Sequence, residues 1–110
     1  MIKNLTRKTI ISKDFKLLKD FRSKSKGLIN NNYAKTVIFY TRFGIHTFGV
    51  KFPIDIIITD KKLKVSSIKE RLVPNRVFLW SPKGSLVIEL ENGAIKRSKT
   101  EVDDILEIKL

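Results

Sequence analysis

The stretch GIHTFGVKFPIDIII, residues 44–58, holds the single histidine of the chain, then a proline, an aspartate and an unbroken apolar run. Pro53 pushes Phe52 toward extended backbone and stops any helix, so a strand begins at Asp55. The run DIIITD is too short for a helix, is rich in β-branched residues and is bounded by aspartates. It reads as a central strand covered on both faces. Gly44 and Gly49 bracket His46, and glycines placed so permit a sharp bend or a bulge.

Outward from this strand, Asp60, Lys61 and Lys62 form a polar turn into LKVSSI, which predicts a hairpin. TVIFYTRF alternates with apolar residues on both sides, and Pro74 with Asn75 breaks the chain before RVFLW. SLVIELE alternates strictly, placing Leu86, Ile88 and Leu90 inward with Glu89 and Glu91 outward, and ILEIKL repeats the pattern. Between these two runs lie a glycine turn, room for one helical turn, and an acidic corner.

At the N-terminus LTRKTIIS reads as one short strand ending near Ser12. In SKDFKLLKDFRSKSKGLI, at roughly 100° per residue, Leu17, Leu18, Phe21 and Leu28 fall in one arc while Lys16, Lys19, Arg22 and Lys26 gather opposite. This predicts an amphipathic helix capped by Ser12 and ended by Gly27, with Phe15 as a misfit. The expected architecture is therefore α+β and mainly β. Six to seven strands form a small antiparallel barrel or strongly bent sheet, plugged by one N-terminal helix.

A chain of 110 residues with 42% hydrophobic content supports one core and one domain, residues 1–110. The absence of cysteine excludes a disulfide framework, a thiolate zinc site and a cysteine nucleophile, and suits a reducing cytoplasm. No segment resembles a secretory signal or a transmembrane span. The formal charge is +12, and it is uneven: residues 1–35 carry ten Lys/Arg against two Asp, whereas residues 85–110 carry four against six acidic groups. Such asymmetry suits nucleic acid, an acidic protein partner or simple solvation of the surface.

Four blocks, NLTRKTI, SKSKGLI, IHTFGVKFPIDIII and LVIELENGAIKRSKTEVDDILEI, occur in an order that resembles the domain of unknown function 192 family in its archaeal form. The resemblance covers nearly the whole chain, and the His-Thr-Phe with Phe-Pro-Ile-Asp spacing is its specific part. It implies a compact β-rich domain with one helix, and it implies no particular activity. The chain departs from the family pattern at Gly49 and Val50, where a second aromatic and a methionine are usual. It departs again at Glu91, in place of a proline, and at Asp103, in place of a glycine.

Two groups of candidate residues follow. His46, Thr47, Asp55 and Arg76 are the candidate binding pocket. Asp55 either orients the His46 imidazole or bonds loop backbone, and Arg76 either pairs with Asp55 or Glu89 or meets an anion. Lys16, Lys19, Arg22 and Lys26 form a stripe able to neutralise phosphates without sequence preference. No catalytic residue, metal ligand or cofactor motif is assigned. With one histidine, no cysteine and no GxSxG or HExxH arrangement, a binding module for a small ligand or an acidic partner is favoured over an enzyme centred on His46 and Asp55. Non-specific nucleic-acid binding is the alternative.

Overall fold

The computed structural model describes residues 1–18, 36–40, 44–46, 51–79 and 86–110. Its elements are β1 (Ile2–Asn4), β2 (Thr9–Ser12), β3 (Lys16–Leu17), β4 (Val37–Tyr40), β5 (Gly44–His46), β6 (Ile54–Thr59), β7 (Val65–Leu72), β8 (Val77–Leu79), β9 (Leu86–Glu91), helix α1 (Ala94–Ser98) and β10 (Leu106–Ile108). Among the described residues the chain is thus mainly β.

The IDIIIT run of β6 sits between β9 and β7 in a five-stranded sheet of order β3-β4-β9-β6-β7, and every residue of it is buried. Alternation sends Ile54, Ile56 and Ile58 to one face, where they meet Val37, Phe39, Val87, Leu18 and Leu72, with Phe78 of β8 against them. Ile57 points to the other face with Ile38, Ile88 and Leu90. There it packs on Ala94 and Ile95 of α1, and on Ile2, Ile11 and Leu106 of a smaller sheet of order β10-β1-β2. Each fully buried isoleucine contributes about 1.5–3 kcal/mol by leaving water, so β6 anchors both cores. β5 and β8 pair separately as a two-stranded ribbon.

The β6–β7 hairpin forms where the polar turn predicts it. Asp60 Oδ1 accepts the N–H groups of Lys62 (2.8 Å) and Lys64 (3.0 Å), the self-bonding that suits aspartate to turns. The helical turn allowed after Gly93 also forms, as α1.

Four expectations are corrected. Among the described residues the sheet does not close into a barrel: β3 and β7 are its two separate edges, and the smaller sheet lies against one face instead. The N-terminal helix does not start at Ser12. Residues Lys16–Leu17 form a strand parallel to β4, with Lys16 N–H on Thr36 O and Leu18 N–H on Ile38 O, so backbone bonding to a distant segment overrides the helical spacing of the leucines. Phe15, the misfit on a helix, is partly buried against the core in this extended path. The remainder of the expected helix, with Lys19, Arg22 and Lys26, lies outside the described residues.

The third correction concerns LTRKTIIS, which is not one strand but the turn and second arm of the β1–β2 hairpin. The fourth concerns Glu89, which is 3% exposed. It stands opposite Val37 and Ile56 in the register, because β9 is flanked by strands on both sides and covered on both faces.

Candidate functional site

Asp55 faces α1. Its Oδ1 accepts the Arg71 N–H at 2.9 Å, and its Oδ2 accepts the N–H groups of Gly93 (3.1 Å) and Ile95 (2.9 Å). The physical need is plain. A five-residue helix is marginal by itself, and its N-cap, Gly93 at φ 98°, has no side chain to offer the free N–H groups. A carboxylate from the neighbouring strand supplies the missing cap. The same side chain holds Arg71, which takes a left-handed φ of 51° where the β6–β7 register shifts. Asp55 is 0% exposed, and its bonds bind three segments together.

Of the other residues of the expected pocket, the structure describes the backbone of His46 and the whole of Arg76. His46 stands opposite Val77 in the β5–β8 register, and Thr47 lies outside the described residues. Arg76 is exposed and donates to the Asn75 carbonyl at 3.3 Å. Of the basic stripe, Lys16 is described: it is exposed on edge strand β3.

A second polar cluster holds the far end of α1. Asn4, on β1, donates to Thr100 Oγ1 (3.1 Å) and Asp104 Oδ2 (2.9 Å), and its Oδ1 accepts the Arg7 N–H (3.0 Å). Asp104 Oδ2 also accepts from Arg7 Nε (3.1 Å) and the Glu101 N–H (2.9 Å). Ser98 and Thr100 share a hydroxyl bond of 2.7 Å, and Thr9 donates to the Ser98 carbonyl at 2.7 Å. Burial works to raise the Asp104 pKa, but hydrogen bonds from Arg7, Asn4 and the Glu101 N–H outweigh it and hold the group below the usual carboxylate range. The Arg7 guanidinium is raised in turn, first by its bond to Asp104, and it also pairs with Glu101.

Past the helix, Lys99 adopts φ 58°, ψ 29°. Thr100 N–H reaches Ile95 O and Lys99 N–H reaches Lys96 O, both at 3.2 Å, which is the Schellman ending that usually places glycine where Lys99 stands. Between this end of α1, strand β7 and Arg7 opens a cleft of about 620 Å³. Ile95 and Ile68 give it apolar lining, and Lys96, Lys99, Glu70, Glu101 and Arg7 give it charged lining. Arg7 is committed to Asp104 and Glu101, whereas Lys96, Lys99 and Glu70 have no ion-pair partner among the described residues. Thr100 is 3% exposed and engaged with Asn4 and Ser98, so its hydroxyl is held rather than presented. The arrangement offers fixed charge beside apolar surface, which is equipment for binding.

Sequence reasoning missed this cleft because its residues come from three separated places in the chain. The available signal was polar residues interrupting apolar alternation, in NLTR and in VDD. Among the described residues, no helix is long and apolar enough to cross a membrane, and no group of three or more His, Cys, Asp or Glu could hold a metal ion.

No family model and no curated protein matches the chain. Two solved structures are similar to it in fold. One is a protein of unknown function from Novosphingobium aromaticivorans DSM 12444, at TM-score 0.74 and 19% identity, covering 86% of this chain and 74% of that one. The other, from Sinorhizobium meliloti 1021, is described as a "putative transcription regulator", at TM-score 0.73 and 21% identity, covering 84% of this chain and 79% of that one. At such identities the likeness shows a shared fold.

Proposed function

We propose that the chain is a non-catalytic binding module of the domain of unknown function 192 type, and that its ligand site is the cleft between α1 and β7. One observation carries this reading: Lys96 and Lys99, without ion-pair partners among the described residues, line a cleft with Ile68 and Ile95, on a helix whose start is bonded by the buried carboxylate of Asp55 and whose following segment is bonded by that of Asp104. Asp55 at one end and Asp104 at the other keep those charges in place before any ligand arrives. Such preorganisation lowers the ordering cost of binding. The cysteine-free composition supports a cytoplasmic setting.

Amide chemical-shift mapping tests the reading, with the protein titrated by short acidic peptides, citrate and oligothymidine in turn. Shifts concentrated at residues 68–70 and 95–101 are the expected result. Saturable shifts elsewhere with none in the cleft would overturn it.

Non-specific nucleic-acid binding is the second reading, supported by the formal charge of +12 and by the description of the Sinorhizobium neighbour. It requires retention of mixed DNA or RNA on filters at low salt, falling steeply as salt rises. No retention at low salt would remove it.

A further inference from the structure

We infer that the cleft takes an acidic, apolar-bearing segment of a partner protein, an assignment that rests on the cleft being the binding site at all. The cleft is open rather than enclosed, so a small metabolite would stay largely in water there, whereas well-bound small ligands are mostly buried. A segment belonging to a larger molecule avoids that limit, because contacts around the cleft add to those within it. The charge pattern then selects the segment. Lys96 and Lys99 line the cleft from the same end of α1 with no ion-pair partner among the described residues, and acidic side chains complement them while an aliphatic side chain covers Ile68 and Ile95.

Lys99 strengthens the point. It occupies a left-handed position that glycine would take at lower cost, and its side chain there joins the lining of the cleft. Glu70 and Glu101 share the lining, and their carboxylates oppose the continuous phosphate chain of a nucleic acid. A protein segment can set a donor against Glu70. Strand addition along β7 is disfavoured as the mode of docking: that edge carries Lys69, Glu70 and Arg71 and two register shifts, features that blunt backbone pairing. Its first rungs are also taken, with Val65 N–H on Asp104 O and Asp103 N–H on Val65 O.

The test uses fluorescence anisotropy with the labelled peptide Glu-Leu-Glu-Glu-Leu-Glu, its Lys-for-Glu counterpart, oligothymidine and citrate as competitor. Wild type is compared with K96E/K99E and with K61E/K62E, an equal charge change outside the cleft. The expected result is binding of the acidic peptide that weakens about tenfold or more in K96E/K99E, little in K61E/K62E, and falls with salt. Equal loss in both variants would show diffuse attraction and overturn the inference, as would preference for the basic peptide. Oligothymidine displacing the peptide from wild type, and losing its own affinity in K96E/K99E, would assign the site to nucleic acid instead. Citrate binding that depends on Lys96 and Lys99, with no peptide binding, would end the inference and leave the cleft as a small-ligand site; silence from every probe would end both.

Discussion

Replacing Asp55 offers a quantitative check on why this carboxylate is buried. In Asp55→Ala, the Ile95 N–H is left fully inside without an acceptor, and the Arg71 and Gly93 N–H groups lose theirs in partly buried positions. A buried unsatisfied donor costs about 1–3 kcal/mol, and a lost bond whose donor can still reach water about 0.5–1.5 kcal/mol. Together they predict a loss of about 2–6 kcal/mol, a large part of the total stability of about 5–15 kcal/mol usual for a native domain. At roughly 4–8 °C per kcal/mol, the melting temperature should fall by about 8–48 °C. Asp55→Asn should lose somewhat less, about 2–3 kcal/mol, since one amide oxygen still accepts while its NH2 faces donors. Urea denaturation with unchanged m-value is the assay. A loss below about 1 kcal/mol in Asp55→Ala would refute the capping account and reopen a different role for the residue.

Acid sensitivity should trace to Asp104. Its folded pKa lies below the ordinary value of 3.8, so its stabilisation is fully present above that pH and is lost as pH falls below it through the folded value. Asp104→Asn should flatten that acid limb in a pH series of melting temperatures, and an unchanged limb would count against the assignment. Lys99→Gly is expected to raise stability by about 1 kcal/mol, by relieving the left-handed backbone, while weakening acidic-peptide binding; both quantities moving together would contradict the trade. Asp103, at φ 78°, should tolerate Asp103→Gly with a gain of about 0.5 kcal/mol in urea, because its 3.8 Å pairing with Lys64 is exposed and worth little.

How far the fold is legible depends on whether local pattern and distant bonding agree. For β6 they agree: five of its six residues, Asp55 aside, are β-branched, and it becomes a strand bonded on both sides. The turn at Asp60 is legible for the same reason, since its bonds are to residues two and four positions away. At Ser12–Leu18 they conflict. The leucine spacing suits a helix, but the N–H groups of Lys16 and Leu18 find acceptors in residues 36 and 38, and Leu18 is buried while its neighbour Leu17 is 53% exposed, as a strand requires. Glu89 is misread because alternation in SLVIELE says which residues share a face, not whether the second face is covered.

The site divides in the same manner. Asp55 is conspicuous in the sequence, and bonding to loop backbone is one of the two roles the sequence leaves open for it. Asn4, Arg7 and Asp104 act through partners about a hundred positions away, so no spacing could join them. The cleft adds Ile68, Lys96 and Lys99, ordinary surface residues until β7 and α1 are placed side by side.

The most direct test of binding in this cleft is zero-length carbodiimide coupling of the acidic hexapeptide to the native protein, which joins a carboxylate to an amine in contact with it. Mass spectrometry of the adducts should place the cross-links on Lys96 and Lys99. Cross-links spread evenly over exposed lysines such as Lys13, Lys61, Lys62 and Lys109 would contradict the account.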